Sequence, residues 1–558
     1  MAKSVNKHLI FIIILPVLVI SLGISFNFGT SDSVSVPQVH GMDVTIANHL
    51  LFQTADNCLS CHNNLITSSG EDISFGSSWR ASMMANSARD PYWHAAVRRE
   101  VMDHPESQAF IENECSTCHM PMAHYQANAN GKMTEVFTNL PTNKAVTQQN
   151  LLAIDGVSCT TCHQIQGDNF GKRESFVGGF LIDTLQPMGQ REVYGPYPVD
   201  AGRSKIMHSS SGFQQKESKH IQQSEMCATC HTLYTHTLDS EGEVIGELPE
   251  QVPYLEWKHS SFVDDQSCQS CHMPEVQDST VISSVWGQPR KNVSRHSFRG
   301  GNFFMMSMLN RYRDELGVQA LPQEMDAAIN RTIDHLQTKS AQISIANAYM
   351  ENNQAIVDVT INNLAGHKLP TAYPSRRVWI HFSVTDRNGS IVFESGAVRP
   401  DGSIVGNAND DNDGKYEPHY SEITSQDQVQ VYEAIMADPD GKVTTGLLTA
   451  IQFIKDNRIL PDGFDKSTAK EDIAVQGQAF DDEDFIGGTD RIRFRINLKD
   501  IEGPLQIDTK LYYQPIAFRW AQNLAPYDSP ETNRFVNYYD SMSKSTSVAL
   551  ASTKITLK

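Results

Sequence analysis

Cysteine is missing from this sequence except in one context, and both basic charge and long apolar runs are scarce. Lys and Arg number 45 against 65 Asp and Glu, leaving a formal charge of -20. That deficit argues against nucleic acid and anionic lipid as partners, while an acidic face could still meet a basic redox protein. Hydrophobic residues are a modest 40% of the 558, as expected where bound groups fill part of the interior. After residue 24 no stretch reaches the roughly 18 apolar residues needed to span a bilayer. No cysteine precedes Cys58, which argues against a lipoprotein anchor.

One apolar run does occur. After Met1, Lys3 and Lys7 the chain is apolar from Leu9 to Ile24, broken only by Pro16, Ser21 and Gly23. This is the charged region and apolar core of an export signal, expected over residues 1–30. No clear Ala-x-Ala follows, so an uncleaved membrane anchor over residues 9–24 is the alternative. Both readings take the chain out of the cytoplasm, to the periplasm or the cell surface.

The ten cysteines form five pairs of identical spacing, each followed at once by histidine. The pairs are Cys58 and Cys61 before His62, Cys115 and Cys118 before His119, Cys159 and Cys162 before His163, Cys227 and Cys230 before His231, and Cys268 and Cys271 before His272. In a helical turn, residues three and four apart share a face. Both thiols can then add to the vinyl groups of one haem while the histidine reaches its iron. Zinc, iron-sulfur clusters, redox dithiols and disulfides also use Cys-x-x-Cys, but none needs the histidine. The pattern therefore implies five covalently attached haems c. From Cys58 to His296 there are only about 50 residues per haem, too few to give each its own core, so the haems must pack against one another.

Each iron has a second axial position, open to histidine, methionine, water or substrate. The candidates by sequence context are His259, His296, His208, His124 and His220, each alternatively a surface or propionate-contacting histidine. Met83 and Met84 could serve the first site, or simply pack in a core.

Trp79 to Trp93, Asp155-Gly156-Val157-Ser158, Gly195-Pro196-Tyr197 and Tyr254-Leu255-Glu256-Trp257 resemble exported multihaem cytochromes of the broad cytochrome c-554 and c-prime group. The resemblance covers most of residues 50 to 310 and extends into the C-terminal half. It implies histidine at most sixth positions without fixing which one meets which iron. Asn363-Leu364-Ala365-Gly366-His367-Lys368-Leu369-Pro370-Thr371 is similar to the Gly-His-x-x-Pro loop that opens the C-terminal β domain of such cytochromes. The resemblance implies that His367 is a distal ligand; the alternative is a turn histidine that only packs at the domain boundary. Thr371-Ala372 departs from the relatives, which often have threonine then glycine.

The expected fold is a mostly α and irregular pentahaem domain over residues 45–310, a helical connector over 311–340, and an all-β, sandwich-like domain over 341–558. Met325, Ile329, Ile333 and Leu336 make one helical stripe. Later segments such as Ala355 to Ile361 and Val378 to Val384 alternate with period two. Asn409-Asp410-Asp411-Asn412-Asp413-Gly414 begins like a calcium loop, but Tyr420 stands where the twelfth-position glutamate belongs, and a solvated acidic loop is the expectation.

Three functions remain. The first is electron transfer outside the cytoplasm to redox proteins or an extracellular acceptor. The second is an oxidoreductase acting on a small nitrogen or sulfur species at one open haem. The third is a homo-oligomeric subunit of an extracellular haem filament.

Overall fold

Helix starts in the first half are written into the sequence. In α1 (Pro91–Asp103) the Asp90 carboxylate accepts hydrogen bonds from Tyr92 N at 2.8 Å and Trp93 N at 3.2 Å, with Pro91 in the first turn. Helix α2 (Gln108–His119) carries the second cysteine motif on its last turn, and α3 (Pro121–Ala129) follows directly. The other motifs lie on short turns at Asp56–Leu59, Cys159–Cys162, Ser224–Ala228 and Cys268–His272. The computed structural model describes residues 50–141, 147–498 and 503–558. The expected export segment, residues 1–30, falls outside them. Among the described residues no helix is long and apolar enough to cross a membrane.

Backbone staples replace a conventional core around the motifs. Asp155 accepts from Ala55 N at 2.8 Å, Val157 N donates to Met84 O at 2.9 Å, and Trp79 Nε1 donates to Val157 O at 2.9 Å. Gly156 makes the turn at φ +64°, where a Cβ would lie 2.6 Å from Met84 O. The segment from Asp155 to Ser158 thereby ties the first motif to the third.

A hairpin of β1 (Leu233–Leu238) and β2 (Val244–Gln251) is followed by α4 (Pro253–Lys258), α5 (Phe303–Arg311) and α6 (Pro322–Lys339). On α6 the predicted stripe turns inward: Met325 and Leu336 are buried together with Ala328 and Thr332.

Two sheets then dominate. One orders β6 (Ile391–Ser395), β5 (Arg377–Thr385), β8 (Leu505–Gln514) and β9 (Val548–Leu557), with Val431–Tyr432 also paired to β5. The other sets Glu422–Ile423 beside β7 (Thr489–Asn497), then β4 (Gln354–Asn363) and β3 (Ala341–Glu351). Alternate residues point inward, and Phe382 of β5 stacks on Phe494 of β7 with centroids 3.9 Å apart.

The second half departs from an all-β expectation at α7 (Pro530–Met542). Ser529 Oγ accepts from Thr532 N at 3.1 Å, and Phe535, Tyr538, Tyr539 and Met542 are buried at helical spacing. This helix crosses back to α1, with Tyr92 and Phe535 rings 5.0 Å apart and Arg98 paired to Glu531 at 2.9 Å. In the opposite direction, Leu238 N of the β1–β2 hairpin donates to Leu448 O at 2.7 Å. The two halves are interlocked by both exchanges.

The acidic segment also differs from expectation. Asp410 receives both arms of buried Arg377, at 2.7 and 2.9 Å, and Ile404 N at 2.7 Å. Asp410 is thus in an internal ion pair, whereas Asp411, Asn412, Asp413 and Gly414 are exposed. A carboxylate already saturated by a guanidinium does not need calcium.

Candidate functional site

In the motifs a helical turn closes through His62 N to Cys58 O at 3.1 Å, His163 N to Cys159 O at 3.0 Å and His231 N to Cys227 O at 2.9 Å. The thiols meet across motifs. The thiols of Cys58 and Cys159 are close enough to shift one another's acidity, as are those of Cys118 and Cys230 and of Cys227 and Cys268. Cys162 lies within electrostatic range of Cys227 and Cys230. Every motif thus has another nearby, and the fourth lies near the second, third and fifth. Cysteines are free throughout.

These groups are deep and yet open. Burial pushes the Cys162 thiol up to about 12 and lowers His119 and His231 to about 4. None of the ten cysteines and none of the motif histidines is among the fully buried residues. Deep groups that retain accessible surface line internal clefts, which is where a flat, apolar group bonded to the thiols would lie.

Histidine orientation follows one rule at four motifs. Nδ1–H donates to a main-chain carbonyl: His62 to Ile282 O at 2.6 Å, His119 to Ser87 O at 3.0 Å, His163 to Tyr194 O at 2.6 Å, and His272 to Arg299 O. Nε2 is left unprotonated, as a metal ligand requires. Trp93 lies flat against His119, centroids 4.3 Å apart. His231 is the exception: its ring is exposed, and among the described residues it has no hydrogen-bond partner.

Two further histidines repeat the rule. His296 Nδ1 donates to Ser294 O at 3.1 Å, and its ring lies 6.3 Å from that of His163 at 12°. His367 Nδ1 donates to Lys368 O at 2.9 Å, and its ring lies 6.2 Å from that of His272 at 19°. Two imidazoles on opposite sides of one iron, each bound at about 2 Å, have centroids roughly 6 Å apart. Both pairs have a separation that suits a shared iron, with their ring planes near parallel. His335, which sequence context did not single out, also lies 6.2 Å from His272, but at 51°.

The other candidates are engaged elsewhere. His124 uses Nδ1 on Ser116 Oγ at 3.0 Å and Nε2 on Asn128 Nδ2 at 2.8 Å. His220 uses Nδ1 on Ser218 Oγ at 2.6 Å and donates from Nε2 to Ile165 O at 2.7 Å. His208 donates from Nε2 to Gly189 O at 2.8 Å, and His259 to Asp465 O at 3.0 Å. Met83 packs against the main core, and Met84 is half-buried. Each of these four histidines stands near a motif in sequence and bonds other protein groups in this structure.

His419, Asp482 and Asp490 bring potential ligand atoms within 4.8 Å of one another. Gln430 Nε2 and Asn457 Nδ2 both point at His419 Nδ1, at 2.9 and 3.2 Å. Nδ1 is therefore the acceptor, and protonated Nε2 donates to Asp482 at 3.2 Å. The one lone pair of that tautomer, on Nδ1, is already taken by the two amide donors.

Comparison with solved structures gives a match along nearly the whole chain. A penta-heme cytochrome c552 from Thermochromatium tepidum aligns over 91% of this chain and 100% of its own, with a TM-score of 0.50 at 15% identity. The chain shares the fold of a pentahaem cytochrome. No protein-family model and no curated protein matches the sequence.

Proposed function

We propose that this chain is a pentahaem c-type cytochrome of the exported c-554 and c-prime-like kind, carrying electrons outside the cytoplasm. Cys58 and Cys61, Cys115 and Cys118, Cys159 and Cys162, Cys227 and Cys230, and Cys268 and Cys271 would hold the haems. His62, His119, His163, His231 and His272 would be the proximal ligands. His296 would complete the iron of His163, and His367 that of His272. A haem supplies reversible one-electron transfer at its iron when bound. The observation that carries the reading is the thiol contact linking every motif to another. Groups attached at those thiols would adjoin one another, as hopping requires. The sandwich-like β region would brace the array and supply His367. Partners would be basic redox proteins or an extracellular acceptor.

A second reading, reduction of a small nitrogen or sulfur species at one open haem, is favoured by one feature. His231 alone among the motif histidines lacks a carbonyl anchor and stays exposed. One experiment separates the two. Denaturing mass spectrometry of protein made in a host with haem-attachment machinery should show five additions of about 0.6 kDa each. Low-temperature electron paramagnetic resonance during redox titration should then show low-spin haems only. Fewer than five additions would sink the cytochrome reading. A stoichiometric high-spin signal would favour the enzyme.

A further inference from the structure

We propose that Glu256 is a positioning residue which, through a buried four-charge cluster, holds His367 as sixth ligand to the iron carried by His272. The proposal rests on the reading of the fifth motif as a haem site and adds the device that fixes its ligand. Glu256 lies on α4, ahead of the fifth motif, and is fully buried. Trp257 on the same helix donates to Gln266 O at 2.9 Å, which ties α4 to the segment entering Cys268.

From α4 the Glu256 carboxylate reaches across to the loop after β4. One oxygen accepts Lys368 N at 3.1 Å and Thr371 Oγ1 at 2.5 Å, and the other faces Arg458 Nη1 at 2.9 Å. Arg458 binds Asp456 at 2.6 and 2.8 Å, and Asp456 binds Lys368 Nζ at 2.7 Å. The cluster of two carboxylates and two cations is thus a closed ring, and all four residues are buried.

The peptide joining His367 to Lys368 is held on both sides, its N–H by Glu256 and its carbonyl by Asn363 Nδ2 at 2.9 Å. Lys368 O in turn accepts from His367 Nδ1 at 2.9 Å. Leu369 exchanges both backbone hydrogen bonds with Ile459 at 2.9 Å. Gly366 is pressed against Phe262 and Trp257, where a Cβ would meet both rings at 3.2 to 3.3 Å. The backbone of His367 is therefore held by groups outside its own loop, and its ring by the Lys368 carbonyl that follows it.

Apolar residues would join two elements at least as stably as buried ions do. A charge ring adds direction. It fixes one peptide plane, and with it the imidazole, relative to the fifth motif. His335 lies equally far from His272, but no such anchor holds it.

The test uses full-length holoprotein and counts haems by mass in every variant. His367→Ala should keep five haems and convert one to high-spin. Glu256→Ala should keep five and leave that haem a mixture of spin states with a shifted potential. Glu256→Gln, which keeps acceptors for Lys368 and Thr371, should remain nearer the parent. His335→Ala should change nothing. Carbon monoxide should bind the reduced fifth haem of Glu256→Ala roughly tenfold faster than in the parent. If Glu256→Ala fails to fold, the same rate in Glu256→Gln is the readout, expected between parent and His367→Ala. Unchanged spin state, potential and carbon monoxide rate in folded Glu256→Ala, or an unchanged rate in Glu256→Gln where the alanine variant does not fold, would overturn the positioning role while leaving the ligand intact. Five low-spin haems in His367→Ala would instead overturn the ligand reading beneath it.

Discussion

An imidazole is best oriented toward iron when its other nitrogen is held, and the histidines here differ in that respect. His296 and His367 satisfy it through Ser294 O and Lys368 O; His124 and His220 spend both nitrogens on protein. Replacing His296 by alanine should leave five haems attached and turn one high-spin. Its midpoint should move to more positive potential, because a donor favouring the ferric iron is lost. His124→Ala and His220→Ala should leave every haem low-spin. Spin quantitation of the three variants decides between the roles, and a high-spin haem in either of the latter two would reverse the assignment.

Among the strands, β7 carries a carboxyl that pH can address. Burial pushes Asp490 up to about 6 from an ordinary value of 3.8, although Tyr432 OH donates to it at 2.6 Å. A carboxyl whose folded value is raised favours the folded state while protonated. Its contribution is complete below about pH 4 and is lost as pH rises through 6. Asp490→Asn removes that titration and keeps an acceptor for Tyr432. The stability of the variant relative to the parent should therefore grow between pH 4 and pH 7, by on the order of 2 kcal/mol. Urea midpoints at several pH values would measure it, and a constant difference would show that Asp490 does not titrate. The sequence marked β7 by its alternation, but strand pattern carries no sign that Asp490 faces inward against Tyr432, which lies in another strand.

For the molecule as a whole, the thiol contacts order the motifs as a branched path. The first meets the third, the third approaches the fourth, and the fourth meets the second and the fifth. Replacing both Cys159 and Cys162 by alanine should remove one haem and strand the first from the rest. Stopped-flow reduction should then show about one quarter of the remaining absorbance change in a separate slow phase, since one of four haems is cut off. A single phase with the parent rate would refute the order.

The five Cys-x-x-Cys-His motifs are local matters, each contained within about one helical turn, and so the sequence alone determined their number and spacing. The helix at 322–339 and the main strands were equally local, because periodicity records which face will be buried. Sixth ligands, motif adjacency and the interlocking of the halves were not local. His259 and His296 looked alike in sequence, yet one holds Asp465 O and the other faces His163. The difference comes from backbone carbonyls and a charge ring assembled from distant segments, and only the folded chain brings those together.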